Sequence, residues 1–187
     1  MTTPRIIGGT ARGTRLQMVP GEFTRPITDM VKEALFSILG SEDMIGSVWL
    51  DLFAGTGSVG IEALSRGAKF VCFNDLNRPA VTTIQANLVK THFTAQAEVL
   101  QMDAFALLKH KADRVFDYIY VAPPQYKDLW TRTLRELDEN PGWYKADTWV
   151  IAQIDPAEYS AQALIHLVEF EQRKYGATLL VFYEVKS

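Results

Sequence analysis

The sequence is poor in the residues that build metal clusters and covalent cross-links. It holds one cysteine, Cys72, and three histidines. A lone thiol forms no internal disulfide and no thiolate cluster, and His92, His110 and His166 lack the spacing of metal ligands. No metal is expected. No apolar run approaches the ~20 residues that span a bilayer, and Met1 to Gly9 lacks the apolar segment of a secretory signal. A soluble, cytoplasmic protein without a membrane partner is expected. Internal repeats and low-complexity linkers are absent. Net charge is only −3, which excludes global attraction to nucleic acid. Acidic residues are missing from positions 1–20, where Arg5, Arg12 and Arg15 stand alone. Because screening confines each charge to a Debye length of ~8 Å, a local basic patch can still bind phosphate. A solvated, frayed terminus is the competing reading.

What is present is ordinary globular material. The 187 residues, 48% hydrophobic and 22% charged, suffice for one domain over 1–187 with a sizeable core. Residues 1–24 read as a basic extension, hairpin-like because Gly8, Gly9 and Gly13 break Arg5–Leu16 into two short runs. Thr28 and Asp29 open a helix whose Val31, Leu35, Ile38 and Leu39 recur at helical spacing, with Gly40 as its stop. From Val48 onward, apolar runs alternate with amphipathic stretches. Strands are expected at 48–53, 70–73, 97–100, 116–121 and 148–154. Helices are expected from Val59 to Ser65, Pro79 to Val89, Ala104 to Leu108 and Asp128 to Leu137. Residues 164–171 and 177–185 form a closing antiparallel pair around Lys174-Tyr175-Gly176. This alternation predicts an α/β, mostly parallel, doubly wound sheet.

The strongest local signal is Asp51-Leu-Phe-Ala-Gly55-Thr-Gly57-Ser-Val-Gly60, placed where a buried strand turns into a helix. Gly55 permits the tight turn, and Gly57 lets the backbone approach a ligand. Phe53, Ala54 and Thr56 complete the loop. Asp75, with Leu76, ends the next strand, where a carboxylate accepts from both hydroxyls of a ribose; helix capping is its duller reading. Asp51 beside a pyrophosphate would be unfavourable, but beside an ammonium or sulfonium it is favourable. Asp103, followed by Ala104, suits an adenine amino group. Three carboxylates at successive strand ends favour S-adenosylmethionine over a nicotinamide dinucleotide.

The stretch Asp51–Ala68 resembles the first motif of the bacterial small-subunit rRNA guanine-N2 methyltransferases. Arg5-Ile-Ile-Gly-Gly with Arg12-Gly, and Arg25-Pro-Ile-Thr-Asp-Met-Val-Lys-Glu-Ala-Leu-Phe36, resemble that family's N-terminal signature, and Tyr175-Gly-Ala-Thr178 its last hairpin. The resemblance implies a Rossmann-like methyltransferase fold with a seven-stranded sheet and an antiparallel last strand. It further implies small-subunit rRNA, or the assembling small subunit, as partner, with Arg5, Arg12, Arg15 and Arg25 as RNA contacts. Where the family has Asp-Pro-Pro-Phe or Asp-Pro-Pro-Tyr, this chain has Ala122-Pro123-Pro124-Gln125 and then Tyr126. Gln153 stands for an acidic residue late in the fifth strand, and Ile27 for a threonine. A guanine amine is a poor nucleophile whose N–H groups need acceptors. The Pro123 carbonyl and the Gln125 amide are the expected ones here, with Tyr126 stacking on the base. Two alternatives stay open. One is an adenine-N6 or protein-glutamine methyltransferase; the other, supported by Ala122, is a catalytically weak RNA-binding assembly protein that keeps the cofactor fold. The Arg and Lys residues beyond position 60 read as solvated faces.

Overall fold

Seven strands form a single sheet in the order β3-β2-β1-β4-β5-β7-β6. The computed structural model describes residues 3–21 and 27–187. The strands are β1 Val48–Asp51, β2 Phe70–Asn74, β3 Ala97–Leu100, β4 Phe116–Val121, β5 Tyr144–Ile154, β6 Leu167–Tyr175 and β7 Thr178–Val185. The helices are α1 Asp29–Leu39, α2 Ser41–Met44, α3 Ser58–Ser65, α4 Arg78–Thr91, α5 Ala104–Lys109 and α6 Leu129–Glu139. Strands β3, β2, β1, β4 and β5 are parallel neighbours. β7 is wedged between β5 and β6 and runs against both, which is the expected antiparallel last strand. No helix among the described residues is long and apolar enough to cross a membrane.

Both sheet faces are covered, so the inner strands read as near-continuous apolar runs. Trp49, Val71, Phe73, Tyr118 and Phe182 pack with α1, α3 and α4 in one cluster. Leu50, Cys72, Ile119, Val150 and Val181 pack with α5 and α6 in the other. The chain winds from β1 toward β3 on one side and resumes at β4 on the other. A crevice opens at such a switch point, outside the carboxyl ends of β1 and β4.

Several boundaries move for local reasons. α6 starts at Leu129, because Asp128 holds a left-handed φ of 51°. β1 stops at Asp51, since the chain turns into the glycine loop. β5 begins four residues early, at Tyr144, and β6 runs on to Tyr175. α2 was not legible as an element of its own.

The N-terminal segment is not a frayed end. It is a hairpin closed by Ile6 N–H to Thr14 C=O at 2.9 Å and Leu16 N–H to Pro4 C=O at 2.7 Å, and Ile6 and Leu16 lie in the core. Its backbone is nailed to α3. Ile7 and Gly8 donate to the Glu62 carboxylate at 3.0 and 2.8 Å, and Ala11 donates to Ser65 Oγ at 2.9 Å. Glu62 is itself fully buried against Lys32 Nζ at 3.3 Å. Lys32 also donates to Arg5 C=O and to Ser58 Oγ, at 2.5 and 2.9 Å. One ion pair thus joins hairpin, α1 and α3. Arg66 is no solvated face either: its Nε binds Glu62 Oε1 at 2.8 Å, and its guanidinium lies 4.9 Å from the Phe36 ring centre.

Candidate functional site

A cavity of about 1050 Å³ occupies the crevice at the carboxyl ends of β1 and β4. The glycine loop forms its floor. Gly57 caps α3 in a left-handed conformation, φ 77°, where a side chain would be strained. Gly55 donates its N–H to Asp75 Oδ2 at 2.9 Å, and the space in front of its Cα is open. Asn87 of α4 braces the loop from behind. Its Nδ2 donates to Thr56 C=O at 2.9 Å, and its amide exchanges two bonds with the Gln17 backbone, at 2.7 and 3.1 Å.

Three carboxylates stand along this wall. Asp51 is buried, and its Oδ1 has no hydrogen-bond partner. Burial chiefly, then the neighbouring Asp75 charge, push its carboxyl up to about 7, against a pull from the Gly60 N–H. Asp75 is already engaged by the backbone, since Oδ1 accepts from Asn77 N–H at 2.9 Å while Oδ2 holds Gly55. Asp103 caps α5, its Oδ1 accepting from Ala106 N–H at 2.9 Å. The capping and ligand readings are compatible for both, because each oxygen keeps a second lone pair. Phe53, Ala54, Thr56, exposed Leu76 and Ala104 also line the cavity; Gly57 does not.

The opposite wall is the loop after β4. Ala122, Pro123, Pro124 and Gln125 line the cavity there, together with Tyr120 and Gln153. Tyr126 does not. Its backbone takes a left-handed φ of 60°, its N–H donates to Glu158 Oε1 at 2.6 Å, and its hydroxyl donates to Asp155 Oδ2 at 2.8 Å. The stacking expected of Tyr126 is therefore not made in this arrangement: two acidic groups beyond β5 hold it outside.

Sequence reading missed the rest of the lining. Met18 and Val19 bring the N-terminal segment to the mouth, and Lys127 and Arg132 bring positive charge. The Arg132 guanidinium lies 3.6 Å from the Phe105 ring centre, a cation–π contact. A helical position one turn into α6, just past the Pro-Pro loop, was the available signal for it.

Of the four arginines expected at RNA, Arg5 is paired with Asp29 at 2.6 Å on the surface, with both side chains exposed. Arg12 and Arg15 are exposed and make no ion pair among the described residues. Arg25 lies outside the described residues. None of the three described arginines lines the cavity.

The sequence matches the family described as "Conserved hypothetical protein 95" over residues 4–184. It is 35% identical over 185 residues to the "Putative rRNA methyltransferase YlbH" of Bacillus subtilis, covering 98% of this chain and 100% of that protein. It is 35% identical over 153 residues to the "Ribosomal RNA small subunit methyltransferase D" of Haemophilus influenzae, covering 81% and 78%. The fold superimposes on the solved structure titled "Putative methyltransferase yhhF from Escherichia coli" with a TM-score of 0.85, at 27% identity and 99% coverage of both chains.

Proposed function

The chain belongs to the family described as conserved hypothetical protein 95, and from that membership and the cavity we propose an S-adenosylmethionine-dependent rRNA methyltransferase. Its proposed target is the exocyclic N2 amine of a guanine in small-subunit rRNA. Support for the RNA comes from relatives that carry rRNA methyltransferase names at 35% identity. Support for the cofactor rests on one observation above all, the buried Asp51 Oδ1 that no protein group satisfies. An isolated buried carboxylate is costly, and a cationic ligand at the cavity floor relieves it, whereas a pyrophosphate would aggravate it. The donor set fits the group: Asp51 for the cationic amino-acid end, Asp75 for ribose hydroxyls, and Asp103, Ala104 and Leu76 for adenine.

When bound, the cofactor supplies a methyl group activated by its sulfonium. The chain's own contribution is positioning. The Pro123 carbonyl and the Gln125 amide oxygen accept from the target amine, and Ala122 contributes no acceptor. Arg12 and Arg15 hold the RNA backbone.

The decisive experiment incubates labelled S-adenosylmethionine with small-subunit particles and with naked rRNA, then analyses the nucleosides. N2-methylguanosine is the expected product. N6-methyladenosine would replace the target. Intact binding of S-adenosylhomocysteine and RNA with no label transferred would overturn the enzyme reading in favour of the assembly protein that Ala122 suggests.

A further inference from the structure

The two walls of the cavity differ in sign. The glycine-loop wall carries Asp51, Asp75 and Asp103, while the wall built by the Pro-Pro loop and β5 carries no carboxylate. Val121 pairs with Ala152 across β4 and β5, so Ala122 and Gln153 follow as neighbours one residue on, and neither brings a charge. The polar side chain at this point is the Gln153 amide.

That amide is not free to present either end. Tyr120 of β4 donates its hydroxyl to Gln153 Oε1. Burial first, and then Asp51, push the Tyr120 phenol far above its ordinary range, so it stays protonated and keeps the proton it donates here. With Oε1 engaged, the amide is left with Nε2 and its two N–H groups. Nε2 has no hydrogen-bond partner among the described residues, and Gln153 lines the cavity.

We propose that Gln153 is a base-positioning residue whose Nε2, left over when Tyr120 engages Oε1, donates to a ring-nitrogen acceptor beside the reacting amine of the target base. This rests on the methyltransferase reading above. In guanine the exocyclic amine is flanked by N1–H, a donor, and N3, an acceptor. A donor amide meets N3 and is mismatched against N1–H, so it sets which edge of the base faces the methyl donor. The Pro123 carbonyl is left to accept from the amine. Adenine and cytosine also carry a ring-nitrogen acceptor beside their amines, so the contact orients the base rather than choosing it.

Gln153→Glu tests the direction of the hydrogen bond, because it keeps the shape and replaces a donor by an acceptor. The assay is steady-state methyl transfer to small-subunit rRNA, with calorimetry of S-adenosylhomocysteine in parallel. The expected result is a fall in kcat/KM of roughly ten- to a hundred-fold, carried mainly by KM for RNA, with S-adenosylhomocysteine affinity unchanged. Tyr120→Phe, which lets the positioning contact go and the amide turn over, shows a smaller loss in the same parameter. A Gln153→Glu protein that keeps or gains rate overturns the inference, because the side chain would then be accepting from the amine. So would lost S-adenosylhomocysteine binding with KM for RNA intact, which moves Gln153 to the cofactor half. Should the unaltered chain transfer no methyl group to RNA, the methyltransferase reading fails and takes this inference with it. The unaltered protein's own rate tells the two failures apart.

Discussion

Replacing Asp51 by asparagine should strengthen the empty protein and weaken its hold on the cofactor. Asp51 is 1% exposed, and its carboxyl is raised from 3.8 to about 7. Between those two values the folded chain keeps a proton that the unfolded chain has released, so stability falls as pH rises through this window and levels off above it. At about 1.4 kcal/mol per pH unit, the ionised carboxylate costs the fold about 4 kcal/mol above pH 7. Asparagine carries no such penalty but leaves a buried amide short of partners, at about 1–3 kcal/mol. The net gain of about 1–3 kcal/mol corresponds to a rise in Tm of roughly 2–12 °C at neutral to alkaline pH. The gain shrinks as pH falls and changes sign between about pH 4.5 and 6, below which the amide's cost outweighs it. Ligand binding moves the other way. A cation prefers the ionised form, so affinity for S-adenosylmethionine in the unaltered protein rises with pH until about 7 and then holds. Asp51→Asn should lose that pH dependence and about ten- to a hundred-fold in affinity. Thermal unfolding across pH and calorimetry measure the two halves separately. A variant that melts lower at alkaline pH, or that binds S-adenosylmethionine as before, would refute the assignment of Asp51 as a strained receptor for positive charge.

Glu62→Gln removes the charge partner of fully buried Lys32, which should cost about 3–5 kcal/mol and lower Tm by roughly 6–20 °C, with partial recovery on adding Lys32→Met; a drop under about 2 °C in thermal unfolding would mean that the pair is hydrated. Arg12→Glu with Arg15→Glu should weaken RNA binding and flatten the plot of log affinity against log salt by about one unit per lost phosphate contact, while cofactor calorimetry stays unchanged; an unaltered salt slope would place the RNA elsewhere.

The sheet was legible because burial on both faces writes itself into local sequence. Phe116–Val121 is an apolar-rich run inside the sheet, whereas Ala97–Leu100 is a half-buried strand at its edge set between Gln96 and Gln101, and both were delimited to the residue. The cavity wall that carries Asp51, Asp75 and Asp103 was legible for a related reason: a glycine loop and the carboxylates after each strand are local signals. The other half of the site comes from contacts distant in sequence. Tyr126 reads as an aromatic beside the Pro-Pro loop, yet Asp155 and Glu158, about thirty residues on, decide where it goes. Lys32 and Glu62 look like surface residues in any window of sequence, and only the packing of three segments shows them to be the buried joint of the fold. Gly9 reads in sequence only as a break between the two runs of the hairpin; a Cβ there would lie 1.8 Å from the Ser65 carbonyl oxygen, so it also serves close approach.

That joint changes how the N-terminal segment can be probed. Its arginines invite removal of the whole segment as a test of RNA binding, but deletion would take Ile6 and Leu16 out of the core and strip Glu62 of its two backbone donors. It would also take Gln17 away from Asn87, the residue whose amide supports Thr56 in the glycine loop. Lost methylation after such a deletion would report on the core and the cofactor floor as much as on RNA. Point changes at Arg12 and Arg15 avoid this, because both side chains are exposed and make no hydrogen bond or ion pair among the described residues. The same geometry explains why a segment so rich in glycine is held rigidly: its fixed points are hydrogen bonds from its backbone to α3 and α4, which need no side chains of its own. The arginines project from a surface anchored to α3 and α4, the helices that carry and brace the glycine loop, so the point changes test RNA contact without disturbing that anchor.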